Sequence, residues 1–437
     1  GYSEWGDGTV LKHSFIRKVH LQNTMVTSSL EHPRAQVALK PGRDRSLLNR
    51  HPWVFSGAIM RVEGDPQGGD IVAIYDATGH LLGRGFYNPH SQIRLRMLTF
   101  GPEAVTEELF AARLTAAAAL RSRFLDPELT AMRLVHAEGD GLPGLVVDRY
   151  GSVLVVQLHT LGMSCLRSLI VDLLCRIFTP TAIVERSPAL KEEGVTASSC
   201  VLWGSIPPSA SDIESGGGDR PARLEVVEHG VRTWVDVLGG QKTGLFLDQR
   251  DNRRRIAELA AATKGARLLN CFSYTGGFSL HAARQGAMTT SVEVSAPAQS
   301  LARENFVLNG IDPIGHRFET ADVFDWLRQC TEHYDLVVLD PPAFVKHRTH
   351  LDQGARAYKD INRLGLRLLE PGGLLLTCSC SGHLNWDLFQ KILYAAAREA
   401  DRSVQVLARY SQPLDHPFSL YHPEGEYLKT FLLRVVK

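Results

Sequence analysis

Arg267-Leu268-Leu269-Asn270-Cys271-Phe272-Ser273-Tyr274-Thr275-Gly276-Gly277-Phe278 runs from a short apolar stretch into a glycine turn, and an Ala-rich segment, Ser279-Leu280-His281-Ala282-Ala283, follows at once. Read as strand, turn and helix, this opens a βαβ unit. The strand end then offers backbone N–H groups and a helix N-terminus to a ligand, and glycine at 276 lets the backbone approach it closely. From about Leu224 onward, strand and helix patterns alternate every fifteen to twenty residues or so. That rhythm predicts a parallel, doubly wound α/β sheet.

The next strands end in acids. Thr290-Ser291-Val292-Glu293 brings a carboxylate seventeen residues after Gly276, suited to a pair of hydrogen bonds with ribose hydroxyls. Phe318 to Val323 reads as a third strand ending at Asp322, placed for an adenine amino group. Tyr334 to Leu339 reads as a fourth, breaking at Asp340-Pro341-Pro342-Ala343-Phe344. A nicotinamide enzyme would carry G-x-G-x-x-G on the first strand, and Tyr274-Thr275-Gly276-Gly277-Phe278 does not fit it. The ordered set predicts a Rossmann-like class I methyltransferase domain with S-adenosylmethionine as cofactor. Its candidate cofactor-binding residues are Asn270, Phe272, Tyr274, Thr275, Gly276, Glu293, Asp322 and Asp340.

The fifth strand, Gly373-Leu374-Leu375-Leu376-Thr377-Cys378-Ser379-Cys380-Ser381-Gly382, ends in two thiols at the cleft side of such a sheet. A pyrimidine C5 is a poor nucleophile until a thiolate adds to C6, which is covalent catalysis. The thiol needs activating surroundings, and an acid near base N3 must support the adduct. Asp340 stands at the end of the neighbouring strand. Buried cysteine is also an ordinary small core residue, so both thiols stay open to a structural reading. Enzymes that methylate exocyclic amino groups often carry an aromatic ring directly after Asp-Pro-Pro. Here Ala343 comes first and Phe344 one later.

The rest of the chain frames this domain. Its 437 residues call for two or three cores, and the net charge of +1 gives no global attraction to nucleic acid. No apolar run approaches the roughly 18–20 residues of a membrane span. The seven cysteines lack framework spacing and any C-x-x-C pair, so neither a disulfide scaffold nor a metal site is expected, and the setting reads as cytoplasmic. Residues 1–34 read as a leader, disordered or foreign to the gene, with Met25 a candidate natural start. Residues 35–104 alternate short β-type runs with turns, as in a small barrel. From Arg34 to Glu103 nine Lys and Arg stand against six Asp and Glu, with Arg43, Arg45, Arg50 and Arg61 near its start. Residues 105–222 form a central α/β region. In it Thr106 to Phe124 is helical, and Leu145 to Val156 is a hairpin turning at Asp148-Arg149-Tyr150-Gly151. The Gly-, Ser- and Pro-rich stretch from Gly204 to Pro221 reads as a flexible linker, and residues 223–437 form the sheet domain.

With these residues in view, the chain resembles one family. Gly239-Gly240-Gln241-Lys242-Thr243-Gly244-Leu245-Phe246-Leu247-Asp248-Gln249-Arg250-Asp251-Asn252-Arg253 is similar to the signature ahead of the first sheet strand in the RlmI-type cytosine-5 methyltransferases of large-subunit ribosomal RNA. Asn270 to Phe278, Asp340 to Phe344 and Ser379-Cys380-Ser381-Gly382 match it too. So do the module from Leu39-Lys40-Pro41-Gly42 to Phe100, similar to an N-terminal PUA domain, and His136 to Leu145, similar to the central domain.

The resemblance implies a PUA-like RNA-binding barrel, a central α/β domain and a methyltransferase domain that forms 5-methylcytosine. It selects Cys380 over Cys378 as nucleophile, beside Asp340, whose place at the neighbouring strand end suits it as the acid. Many RNA cytosine-5 enzymes carry a further cysteine just after the fourth-strand proline; Pro342-Ala343 stand there instead, so another base must release the product. Lys242, Arg250, Phe344, Lys346 and Asn362 are candidate RNA contacts, with His347 and Arg348 beside them on loops. Tyr358 to Asn362 reads as the start of the helix after Asp-Pro-Pro. Large-subunit ribosomal RNA is the expected partner, without a membrane, and the sequence specifies no oligomeric state. Two other readings remain: an RNA amino-group methyltransferase with structural cysteines, and a non-catalytic RNA-binding ribosome-assembly factor.

Overall fold

The computed structural model describes residue 30, residues 33–207 and residues 223–437. Met25, almost all of the expected leader and most of the expected linker lie outside the described residues. Strands β1 (Gln36–Leu39), β2 (Trp53–Phe55), β3 (Ile59–Glu63), β4 (Ile71–Tyr75), β5 (Leu81–Tyr87) and β6 (Ile93–Phe100) form one sheet in the order β2-β6-β5-β4-β1-β3. Alternation along them gathers Val37, Leu39, Val54, Val72, Ile74, Leu95 and Met97 into a core. At Gly85 an added Cβ would stand 2.4 Å from the Arg96 carbonyl oxygen, so glycine permits the close approach of β5 to β6. Arg43, Arg45, Arg50 and Arg61 are all exposed.

The central region contains α1 (Glu107–Phe124), β7 (Ala131–His136), β8 (Leu145–Tyr150), β9 (Val153–Leu158), α2 (Arg167–Phe178), β10 (Ala182–Ser187) and β11 (Ser198–Gly204). The sheet order is β11-β10-β9-β8-β7. Thr106 caps α1 by accepting the Leu109 N–H at 3.2 Å. The β8–β9 hairpin is tighter than its sequence suggests: Tyr150 pairs with Val153, and Gly151 and Ser152 alone make the turn. Asp148 and Tyr150 remain in β8 because they have buried partners. Arg133 donates to both oxygens of Asp148 at 2.8 and 3.0 Å. Thr243 donates to Asp148 at 2.7 Å and meets the Tyr150 hydroxyl at 2.8 Å.

A second hairpin, β12 (Arg223–Glu228) and β13 (Val231–Asp236), packs Val226 and Val235 against Val153, Val155 and Val184 of the central sheet. On its other side Glu228 receives Arg253 through two hydrogen bonds of 2.6 and 2.8 Å. The hairpin therefore joins the two larger domains by an apolar face and a buried ion pair.

The third region has α3 (Arg250–Ala261), β14 (Arg267–Cys271), α4 (Gly277–Ala283), β15 (Met288–Glu293), α5 (Ala296–Leu308), β16 (Arg317–Thr320), α6 (Val323–Gln329) and β17 (Tyr334–Leu339). There follow α7 (Leu351–Arg367), β18 (Leu369–Ser379), α8 (Trp386–Glu399), β19 (Val404–Tyr410) and β20 (Lys429–Val435). The sheet order is β16-β15-β14-β17-β18-β20-β19, with β20 antiparallel to both its neighbours and the other pairs parallel. Strand order reverses between β14 and β17, which opens a crevice beyond their C-terminal ends. Two local readings change here. Asp322 lies past the end of β16 and caps α6. Helix α7 starts at Leu351, so Tyr358 and Asn362 sit in its middle, both buried.

The connection from Ser411 to Leu428, between β19 and β20, touches all three regions. Asp415 accepts from Arg250 at 2.7 and 2.9 Å and from the Arg133 backbone N–H at 3.0 Å, while its carbonyl accepts from Arg121 at 2.7 Å. Further along, His422 packs edge-on against Trp53 with ring centroids 4.4 Å apart, and His51 meets Glu424 at 3.3 Å. Among the described residues no helix is long and apolar enough to cross a membrane.

Candidate active site

The crevice holds a cleft of about 490 Å³ at the C-terminal ends of β14, β15, β17 and β18. On one side lies the β14–α4 turn. Phe272, Tyr274 and Gly276 have φ of +59°, +48° and +78°, a left-handed conformation that costs non-glycine residues on the order of 1–3 kcal/mol each. Neighbours hold the turn. Glu293 accepts the Tyr274 N–H at 2.9 Å with one oxygen and the Ser295 N–H at 2.9 Å with the other. Asn305 donates to the Thr275 carbonyl at 3.1 Å. The Tyr274 hydroxyl accepts from the Gln241 N–H at 2.9 Å and donates to the Gly244 carbonyl at 3.1 Å.

Phe272, Tyr274, Thr275 and Glu293 line the cleft, as does Ser273, whose buried hydroxyl has no protein partner. A strand-end carboxylate and an unsatisfied hydroxyl beside a preset backbone turn fit the ribose and backbone contacts of a nucleoside cofactor. Asn270 is placed differently. It is buried in β14 and donates to Ser279 at 3.0 Å, bracing the start of α4. Gly276 shapes the turn, where an added Cβ would come within 3.0 Å of Ala302. Asp322 uses its carboxylate to accept the Asp325 N–H at 3.1 Å.

On the other side stand Asp340 and Cys380. Burial, and next the Asp248 carboxylate, push the Asp340 carboxyl up to about 7. Cys380 lies one residue beyond β18, and the serines on either side of it are pinned. Ser379 donates to the Tyr358 hydroxyl at 3.0 Å, Ser381 shares a hydrogen bond with that hydroxyl at 2.9 Å, and Ser381 accepts the Val345 N–H at 3.2 Å. Burial raises the Cys380 thiol to about 11, with Lys242 drawing it down against the carboxylates. Cys378 is fully buried and receives the Thr430 hydroxyl at 3.4 Å.

The remaining candidates separate. Lys242 lines the cleft, with Nζ 3.3 Å from Asp248 and 4.3 Å from the Phe246 ring centroid. Arg250, expected on a loop facing RNA, opens α3 and is buried, with both terminal nitrogens committed to Asp415. An ion pair of that depth leaves no free cation for a phosphate. Asn362 is buried and donates to the Tyr358 carbonyl at 2.8 Å. Phe344 packs among Phe272, Phe324 and Tyr358. Lys346 is exposed on the loop after it.

Three cleft residues were not singled out by the sequence reading. Gln249 donates to Asp340 at 2.8 Å. Asp248 accepts from Lys242 and from the Tyr427 hydroxyl at 2.8 Å. Burial alone would raise its carboxyl, yet Lys242, His416 and Tyr427 together hold it well below the usual carboxylate range. Arg253 donates to the Phe246 carbonyl at 2.9 Å. The signal was a polar run, Asp248 to Arg253, directly after the apolar Leu245-Phe246-Leu247.

Comparison with known proteins identifies the family and the fold. Residues 37–100 match a PUA-like domain family, and residues 199–434 match the S-adenosylmethionine-dependent methyltransferase family. The chain is similar to the ribosomal RNA large subunit methyltransferase I of Shewanella denitrificans, 44% identical over 92% of this chain and 99% of the relative. It is similar to the protein of that name from Klebsiella pneumoniae at 42%, over 92% and 98%. Two solved structures share its fold over 92% of this chain and all of theirs, each with a TM-score of 0.76. One is a methyltransferase complexed with SAH, 22% identical; the other, 23% identical, is described as a SAM-dependent methyltransferase from Streptococcus mutans.

Proposed function

Because the chain belongs to the S-adenosylmethionine-dependent methyltransferase family, we propose that it methylates C5 of a cytosine in large-subunit ribosomal RNA through a thiol adduct at C6. One observation carries this reading: Cys380 and Asp340 line the same cleft as Glu293 and the left-handed turn at 272–276. The printed activity of the relatives supports the substrate class, and the cytoplasm is the setting we assign to it.

Glu293, Ser273, Tyr274 and Thr275 would hold the cofactor, which when bound supplies an electrophilic methyl group for C5. The target base leaves its stack to enter the cleft. The Cys380 thiolate forms a bond to C6, the C5–C6 double bond opens, and C5 becomes the nucleophile. Asp340, about half protonated at neutral pH, presents its acid proton to N3. Lys242 favours the thiolate. Loss of the C5 proton to a base restores the double bond as the C6–S bond breaks. With Pro342 and Ala343 lining this side, that base is not a second thiol after the fourth strand.

The test is methylation of protein-free large-subunit ribosomal RNA with labelled cofactor, followed by mass mapping of the product. 5-Methylcytosine is expected, and its loss in Cys380→Ala. Recovery of 5-methyluridine or an N-methylated purine would overturn the cytosine assignment. Full activity in Cys380→Ala and in its double variant with Cys378→Ala would overturn covalent catalysis.

A further inference from the structure

A second cavity, about 330 Å³, opens beside the cleft between the loop after Pro342 and helix α7. Ala343 lines both cavities. The floor is apolar, made by Ala343, Phe344, Gly354 and Ala357, and exposed Lys346 and His350 stand on the rim. Among the described residues its lining includes no carboxylate. Its wall is a close approach of helix to loop: a Cβ at Gly354 would stand 2.3 Å from Val345 Cγ2. The same loop is tied to the thiol element, since the Val345 N–H donates to Ser381. The cavity is therefore held in register with Cys380.

An apolar floor with one aromatic ring and Lys346 on the rim matches an unstacked nucleotide: the base rests on the floor and its phosphate meets the positive charges of Lys346 and Arg348. We propose that this cavity receives the base of a nucleotide directly adjacent to the target in the RNA, so that two neighbouring bases are splayed into two linked pockets. The inference rests on the reading of the cleft as an RNA base-methylating site and adds the contact that selects the flanking nucleotide.

The experiment uses the full chain and a protein-free large-subunit ribosomal RNA transcript, once the methylated position is mapped. Ala357→Phe fills the cavity; Ala357→Ser keeps it open. Ala357→Phe is expected to raise the KM for RNA at least tenfold, with the Kd for SAH unchanged, and Ala357→Ser to behave as wild type. Ligated transcripts carrying one abasic residue on the 5′ or 3′ side of the target supply the second arm. On one side the abasic residue should cost wild type a similar factor and cost Ala357→Phe little more. A KM for Ala357→Phe within twofold of wild type, or penalties that simply multiply, overturns the proposal and leaves the catalytic reading standing. A wild-type protein that methylates no transcript overturns the catalytic reading, and this inference falls with it.

Discussion

Gln249 donates from Nε2 to Oδ1 of Asp340 at 2.8 Å, so the residue just ahead of α3 fixes the acid at the end of β17. That hydrogen bond also draws the carboxyl down against burial. Gln249→Ala is expected to lose about fivefold in kcat, the worth of one hydrogen bond to the neutral acid. It should also move the Asp340 break in the pH–rate profile upward. An unchanged profile in steady-state assays would remove Gln249 from this role.

The two thiols should answer substitution differently. Cys380→Ala is expected to lower kcat by about a thousandfold or more, because it removes the proposed nucleophile. Cys378→Ala leaves a small cavity in a full core, costs ~1 kcal/mol in urea unfolding, and keeps activity within a few fold. RNA carrying 5-fluorocytosine at the target should trap a protein–RNA adduct in wild type and Cys378→Ala, since fluorine cannot leave as a proton. Adduct formation by Cys380→Ala would contradict the assignment.

The pH dependence follows from two groups that must be in opposite forms. In the proposed mechanism Asp340 acts protonated, its carboxyl pushed up to about 7, and Cys380 acts as thiolate, its thiol pushed up to about 11. Below pH 7 each unit of pH raises the thiolate tenfold while the acid stays protonated, so the rate climbs. Between 7 and 11 the gain in thiolate is matched by the loss of acid, and the rate levels off. A rising limb with a break near pH 7 in kcat/KM is expected, and Lys242→Ala should lower the whole limb.

The proposed binding role of Glu293 can be tested without turnover. Glu293→Ala removes the acceptor of both the Tyr274 and Ser295 N–H groups along with the proposed ribose contact. We expect SAH binding by calorimetry to weaken at least tenfold, with RNA binding little affected. Equal SAH affinity in wild type and variant would argue against the site.

Asp415 carries stability. Its replacement by Ala strands Arg250, whose side chain is 1% exposed, and should cost about 3–5 kcal/mol in denaturant unfolding. The Asp415 carboxyl is held well below its ordinary value by His416 and Arg250, against burial. The contribution is therefore present above the unfolded value of about 4 and lost as pH falls below it. A variant as stable as wild type at pH 7 would show that the pair contributes nothing.

Much of the cofactor side was legible because its signals are local. A glycine turn after an apolar strand and an acid at the end of the next strand are set within a few residues, and Gly276 and Glu293 stand where that pattern puts them. Arg250 was not legible as a buried ion-pair member, since Asp415 comes 165 positions later. Asp248 was missed for the same reason, its hydroxyl donor Tyr427 lying 179 positions away. The start of α7 escaped notice because it carries no capping side chain at His350 and has Gly354 in its opening turns. Neither residue type announces a helix. The β8–β9 turn was read one step early because Asp148 looks like a turn former until Arg133 and Thr243 are seen around it.

The strap between β19 and β20 also sets an order on biosynthesis. His51 and Glu424, which touch through it, are separated by 373 positions, and Asp415 emerges from a translating ribosome long after Arg121 and Arg250, which it will hold. Until then Arg121 and Arg250 have no partner in the strap, and the first module has no catalytic-side surface to rest on. The first module and the central sheet can form during synthesis, but completing the third sheet with β20 and aligning the three regions both wait for the strap and the strand that follows it. A chain cut short before Ser411 keeps the residues that line the cleft but loses both β20, the strand that pairs with β18 and β19, and the strap that ties the PUA-like module to the third region.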